Sequence, residues 1–431
     1  MTQRSVFVNS AWLIADKVVR LGLGLFVWVW LARHFGPANF GLWNYAIAFT
    51  ALFGAVSALG MDGVLVRELV RDPSKTGALL GTAMFLRLIA STLAAISAVA
   101  ALLWLRPGDP LVLVLVALNA FVLVFQSSQI IDLYFQAQMR TRPAVLAVNA
   151  AFLLATIGRV WLLAIGASME WFAGSLVFEA GLAALLLWVA YRSAARRRIP
   201  WRVDSKVAKS LLDESWPLLL SSLAVMVYMR MDQVMLASIV GDEAVGQFSA
   251  ALRIAEVWYF LPAAFLSAAF PAMMAKRAEA PKDYERYVQR LYDYMAWLGL
   301  AVALITTALA PWVISVLYGP RFAPAASILT VQTWAGVTVA MSFVHGRWLL
   351  AEGLQKYGLA YTLAAAFVNM GLNLLLIPRF GAVGAAWATL ASQIGLLPIQ
   401  LVFPKARRNF VLMLRTPTAP IRWIRQLGVN P

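Results

Sequence analysis

The sequence predicts an all-α polytopic membrane protein of about 12 transmembrane helices, in two six-helix bundles related by a parallel pseudo-twofold repeat. Three observations predict it. Of the 431 residues, 62% are hydrophobic and 13% charged, well outside the roughly 45–50% apolar and 25% charged of a soluble domain. Apolar runs of about 20 residues, the length that crosses a hydrocarbon core as a helix, recur along the chain. Cations gather in alternate connections between those runs, as the positive-inside rule demands of a chain threaded repeatedly through a bilayer.

The spans fall at 8–32, 41–63, 78–104, 111–137, 144–166, 171–191, 216–239, 245–272, 293–316, 325–350, 357–377 and 383–403. The first carries Asp16, Lys17 and Arg20 near its middle, where a cation costs about 2.5–3.5 kcal/mol against lipid on insertion scales. At 100° per residue, Asn9, Leu13, Asp16, Arg20 and Gly24 share one face, with Lys17 at its border. That face is expected to line water or protein while the rest of the helix meets acyl chains. The turn His34-Phe35-Gly36-Pro37-Ala38-Asn39-Phe40-Gly41 is too short for a domain, so span two returns through the membrane.

With the N-terminus inside, 25 of the 36 basic residues lie in inner connections and tails and four (Arg33, Arg106, Arg321, Arg379) in outer ones. Asp109, Glu170, Asp242 and Glu243 also fall outside. Both termini are therefore expected in the cytoplasm. The N-terminal apolar run is longer than a signal core and carries charges within it, so no cleaved signal is expected. The net charge of +16 is topological rather than a nucleic-acid footprint, which needs basic residues gathered on a soluble face. Cysteine is absent, excluding disulfides, thiol chemistry and thiolate metal sites.

The longest basic stretch, Tyr191 to Lys209, separates spans six and seven. The sequence thus divides into an N-terminal six-helix bundle (1–192), a basic cytoplasmic linker (193–210), a C-terminal six-helix bundle (211–404) and a basic cytoplasmic tail (405–431). A repeat supports the division. Leu31-Ala32, Gly36 and Gly41 match Leu236-Ala237, Gly241 and Gly246, all 205 positions on, with Ser10, Leu13, Val29 and Ala46 matching Ser215, Leu218, Val234 and Ala251 in the same register. Six intervening spans give both halves the same sense in the membrane. Two further segments, Pro281 to Met295 and the tail, mix basic and aromatic residues as interfacial helices or topological anchors do.

Seven cations lie inside spans: Lys17, Arg20, Arg87, Arg159, Arg230, Arg253 and Arg347. Arg159 and Arg347, within two turns of an interface, are expected to snorkel. Lys17, Arg20, Arg87, Arg230 and Arg253 are the candidate substrate-binding residues; the acids Asp16, Asp132, Asp232 and Glu256 are candidates for coupling to an ion gradient. Internal salt bridges are the competing reading, since Asp16 precedes Arg20 by four residues and Glu256 follows Arg253 by three. On span four, Gln129, Asp132 and Gln136 share a second polar face. Two histidines are too few for a metal cluster, and no nucleotide-binding loop or nucleophilic triad appears, so neither enzymatic chemistry nor a cofactor is expected.

The chain resembles the Wzx-type O-antigen and exopolysaccharide flippases of the multidrug/oligosaccharidyl-lipid/polysaccharide exporter superfamily. The resemblance is carried by Leu31 to Gly41 after span one, Leu59-Gly60-Met61-Asp62 with Arg67-Glu68 after span two, Val245 to Ala251 with Arg253-Ile254 opening span eight, and Asn373 to Pro378 followed by Gly381 and Gly384-Ala385-Ala386. It implies movement of an undecaprenyl-diphosphate-linked oligosaccharide from the cytoplasmic to the periplasmic leaflet of the bacterial inner membrane by ion-coupled alternating access through a cationic cavity. The polysaccharide polymerase and chain-length machinery would then be partners. The residues suit that substrate: a diphosphate calls for fixed cations and a sugar chain for a wet polar lining. A drug/cation antiporter of the same superfamily, a peptidoglycan-precursor flippase and a membrane scaffold for polysaccharide assembly are the alternatives. The antiporter calls for a site dominated by carboxylates and aromatics, the precursor flippase for two more helices.

Overall fold

The computed structural model describes the backbone of residues 3–194 and 200–419, and the side chains within those ranges except 3–19, 21, 281, 282 and 355. Every regular element there is helical: α1 (Gln3–Ala58), α2 (Asp62–Arg71), α3 (Thr76–Leu105), α4 (Pro110–Gln126), α5 (Ile130–Ala137), α6 (Arg142–Ala164), α7 (Met169–Ala194), α8 (Ser205–Ile239), α9 (Asp242–Val257), α10 (Phe260–Glu279), α11 (Pro281–Tyr318), α12 (Ala325–Glu352), α13 (Gln355–Gly395) and α14 (Arg407–Leu414), with short 3-10 turns between some of them.

Among the described residues, ten helical stretches are long and apolar enough to cross a membrane. Two of these are hairpins: α1 breaks at Gly36 (φ 72°, ψ 174°) and α13 at Gly381 (φ 57°, ψ −136°). Counting both arms recovers the expected twelve spans, with the breaks in the expected connections at 33–40 and 378–382. The chain is a multi-pass membrane protein. Large apolar side chains such as Trp104, Trp171 and Ile157 are exposed, as a lipid-facing surface requires.

The two glycines that anchor the repeat take nearly the same backbone shape. Gly36 has φ 72° and ψ 174°, and Gly241, 205 residues on, has φ 116° and ψ 175°. A side chain is strained at such φ values, so the sequence match and the shared turn have one cause. Helix α4 has an ordinary cap: the Asp109 carboxylate accepts from Val112 N at 3.2 Å, with Pro110 in the first turn.

Contacts divide the chain into two compact units, Asn39–Val234 and Met1–Ala38 with Met235–Pro431. These packing units differ from the covalent halves expected at the linker. In the first unit, Arg202 N donates to Gly77 O at 3.2 Å and Asp204 N to Thr82 Oγ1 at 3.0 Å. Residues 202–204, within the expected linker, are thus fastened to α3. A Cβ on Gly81 would sit 2.5 Å from Arg202 O, so only glycine admits this crossing. Helix α8 already begins at Ser205, inside the expected linker, and Arg67 pairs with Glu214.

In the second unit, Arg33 Nε donates to Leu317 O at 2.6 Å and its Nη2 to Val316 O. A cation thereby closes the negative end of α11 and ties the first helix to C-terminal elements. The basic-aromatic segment 281–295 is the start of the 38-residue α11, not a separate surface helix. Tyr284, Val288, Leu291, Tyr292 and Met295 are buried in one cluster with Leu412 and Met413. The described part of the tail thus docks on protein, because α14 supplies the apolar cover that an interfacial helix would take from lipid.

Candidate functional site

On α1, Arg20, Gly24 and Trp28 are spaced four residues apart, so they follow one another along one face. The structure shows what that face meets. The Arg253 guanidinium carbon lies 5.1 Å from the Trp28 ring centroid, and its Nη2 is 4.0 Å from where a Gly24 Cβ would be. The absence of a longer side chain at Gly24 leaves room beside the Arg253 guanidinium, and the indole face supplies a cation–π contact. Arg20 is half-buried one turn further along α1, about 6 Å along the axis. One expected substrate-binding residue thus meets α1 one helical turn from another. Lys17 and Asp16 lie outside the described side chains. Glu256 is half-buried one turn beyond Arg253 on α9.

In the other unit the expected residues are not gathered. Arg87 is 3% exposed and pairs through Nη2 with Asp62, the acid of the Leu59–Asp62 turn. Arg230 is half-buried, its Nε without a hydrogen-bond partner among the described residues. Asp232 is buried two residues on, about 200° round α8 and so on the opposite face. Asp132 is half-buried and accepts from Gln136 Nε2 at 2.9 Å, as the shared polar face of span four anticipates.

The two interfacial arginines part company. Arg159 does not snorkel: it is buried, with Nη2 2.5 Å from Glu179 Oε2 and Nε 3.0 Å from Ser175 Oγ. The acid on the neighbouring α7 keeps it inside. Arg347 lies over the Phe270 ring at 5.3 Å and 3.4 Å from Ser267 Oγ.

Sequence reasoning missed the uncharged polar interior. Gln332, Thr333, Asn369 and Asn373 are all buried on α12 and α13, and Asn373 Nδ2 donates to Asn369 Oδ1 at 3.1 Å. Gln247 Nε2 donates to Arg321 O at 2.9 Å. Near the C-terminal end of α12, buried His345 Nδ1 lies 2.8 Å from Asn409 Nδ2, which also reaches Gln400 Oε1 at 2.9 Å, while Tyr292 OH donates to Asn409 Oδ1 at 2.9 Å. The signal was present, since an amide inside an apolar run needs a partner as a charge does. Asn369 and Asn373 even stand at the i, i+4 spacing that lets them pair. Among the described residues no group of histidines and acids could hold a metal ion.

Comparisons with known proteins agree with this architecture. The model of a family described as "Polysaccharide biosynthesis protein" matches residues 6–276, and a MatE model matches residues 217–375. The probable low-salt glycan biosynthesis flippase Agl15 of Haloferax volcanii is 23% identical over 395 residues, 89% of this chain and 80% of that protein. The probable flippase AglR of the same organism is 30% identical over 204 residues, 43% of this chain and 40% of that protein. Among solved structures, an inward-facing multidrug resistance MATE family transporter of the MOP superfamily superposes with a TM-score of 0.72 at 15% identity, covering 93% of this chain and 96% of that one. The lipid II flippase MurJ, inward closed, superposes at 0.69 and 15% identity, covering 97% of this chain and 92% of that one. The fold is the one these transporters share.

Proposed function

We propose that this chain, which belongs to the polysaccharide biosynthesis protein family, is a flippase for lipid-linked oligosaccharides. Its substrate is an undecaprenyl-diphosphate-linked repeat unit, moved from the cytoplasmic to the periplasmic leaflet for O-antigen or exopolysaccharide synthesis. The observation that carries the reading is the seat of Arg253 against Gly24 and Trp28, one turn from Arg20. Cations placed this deep among apolar helices are costly, and a diphosphate is the part of such a substrate that repays them through charge-assisted hydrogen bonds. Two curated relatives named as flippases support the substrate class.

In this reading Lys17, Arg20, Arg87, Arg230 and Arg253 supply positive charge to a cationic cavity, and Asp16, Asp132, Asp232 and Glu256 are the acids among which ion coupling is sought. The two six-helix halves, 1–192 and 211–404, alternate access, with both termini in the cytoplasm. Labelling from outside of a cysteine placed at Ser205 would reverse that orientation.

The test is surface polysaccharide in a flippase-null strain, normalised to membrane-inserted protein. Arg20→Ala and Arg253→Ala are each expected to lose most of the polymer at unchanged abundance. Full polymer from both would end the cationic reading. A drug/cation antiporter is the second reading, favoured by the MatE match at 217–375. Extrusion of cationic drugs with no rescue of polymer would select it.

A further inference from the structure

The second unit holds a cavity of about 800 Å³ whose lining includes Arg277, Arg286, Lys405, Arg408, Glu285 and Glu352. It is built where α10 ends, α11 begins, α12 ends and the tail returns, the side that the cation distribution assigns to the cytoplasm. Its walls are held in place. Gly353 closes α12 in the left-handed conformation, φ 71° and ψ 25°. Helix α14 is fixed to α11 by Gln289 Nε2 to Leu412 O at 3.0 Å and by Tyr292 OH to Asn409 Oδ1 at 2.9 Å. The position of the tail is therefore specified by buried hydrogen bonds, not by charge alone.

The charges inside are unequal. Glu352 is 3.2 Å from Arg277 Nε and accepts from Tyr284 OH at 2.9 Å, and Glu285 pairs with Arg408. Each acid thus orients one arginine. Arg286 has only the exposed Asp283 nearby, at 3.6 Å, and Lys405 has no ion pair among the described residues. The lining thus holds four cations against two acids, beside the apolar Val288, Trp348 and Leu412. The volume falls within the range of small-molecule sites, roughly 300–1,000 Å³.

We infer that this cavity is a binding site for a phosphate-bearing anion. Two arginines held by carboxylates present oriented forks, and Arg286 and Lys405 give the lining two more cations than acids, which suits a phosphomonoester, a phosphodiester or a diphosphate. An anionic phospholipid headgroup of the inner leaflet and a soluble phosphate compound share that chemistry. The site is separate from the cations of α1 and α9 and does not rest on the transport reading.

The test uses the full-length protein with Arg286→Gln and Lys405→Gln combined, both exposed positions whose change leaves the buried packing intact. The control is Arg290→Gln, an exposed cation one turn along α11 outside the cavity lining. Inorganic pyrophosphate is titrated against thermal unfolding in detergent. Binding to vesicles of phosphatidylcholine, with and without phosphatidylglycerol, is measured in parallel at fixed salt. The double variant is expected to bind about 10-fold or more weakly in at least one arm, and the control to match the wild type, since each lost charge-assisted contact weighs about 1.5–3 kcal/mol, or roughly 10- to 150-fold. Pyrophosphate binding identifies a soluble ligand, and phosphatidylglycerol binding alone a headgroup. Equal losses in double variant and control, or no binding in either arm, overturn the proposal.

Discussion

Arg159 and Arg253 are both arginines set inside apolar helices, and they are housed in different ways. Arg159 spends its donors inside the helix pair α6–α7, on the carboxylate of Glu179 and the hydroxyl of Ser175. Arg253 lays its guanidinium over the face of Trp28, beside the gap at Gly24. A carboxylate neutralises the charge and occupies the in-plane N–H groups. An aromatic face attracts the cation through its quadrupole without itself accepting from the in-plane N–H groups. The first arrangement suits a fastening, and the second belongs to the contact on which the proposed binding reading rests. A deep cation is informative only once its neighbour is known.

The largest expected effect tests the fastening. Arg159→Ala leaves Glu179 inside the helix pair without its partner, and a buried pair broken on one side costs about 3–5 kcal/mol. Membrane abundance and thermal stability should both fall. Replacing the pair together, Arg159→Met with Glu179→Leu, should restore most of both, because a well-packed apolar pair removes the stranded charge. An Arg159→Ala protein that stays abundant and stable but makes no polymer would break the comparison.

For Arg253 the pattern is reversed, with loss in transport and little in abundance. Arg253→Ala should lower polymer about 10- to 100-fold, corresponding to the roughly 1.5–3 kcal/mol of a hydrogen bond to a charged group. Arg253→Lys should retain part, keeping the charge while losing the planar fork. Gly24 sharpens the same point by steric means. The absent Cβ would lie 4.0 Å from Arg253 Nη2, an ordinary contact, so Gly24→Ala should be near neutral. Gly24→Leu fills the space, displaces the guanidinium, and should cost several-fold in polymer at normal abundance. Unchanged transport in Gly24→Leu would mean that the seat of Arg253 has no bearing on function.

The sequence made the spans legible because the bilayer imposes one long apolar period on every crossing. Gly36, Gly241 and Gly381 marked breaks because each takes a positive φ. The face through Arg20 and Gly24 was also legible, since helix geometry is local; Asn9 and Asp16, placed on it by the sequence, lie outside the described side chains. Its partner was not: nothing in residues 9–32 points to Arg253, more than 200 positions away, and Trp28 reads as one more apolar residue until a guanidinium lies over it. Position along a span set Arg159 apart as a snorkelling residue and was misleading there, because depth fixes the cost of a charge but not what surrounds it. The docking of α14 was hidden for the same reason. Its basic residues match those of an interfacial helix, while the buried Asn409 and Met413 that hold it declare themselves only against α11 and α12.

The smallest effect concerns an acid outside the spans. Asp72 is partly exposed on the turn before α3, and the Ser74 hydroxyl, then Lys75, hold its carboxyl down to about 2. Because the folded value lies below the usual carboxylate value of about 3.9, the stabilisation is complete above about pH 4 and is lost as pH falls toward 2. Between pH 5 and 8 the group is ionised whether the chain is folded or not, so it binds no proton there. Asp72→Asn should therefore leave both stability and the pH dependence of transport unchanged in that window. If transport titrates between pH 5 and 8, the titrating group belongs elsewhere, and Asp132, Asp232 and Glu256 are the acids within spans to exchange for amides first. A pH profile that moves with Asp72→Asn would place the coupling proton at the membrane surface and remove the reason for seeking it among the buried acids.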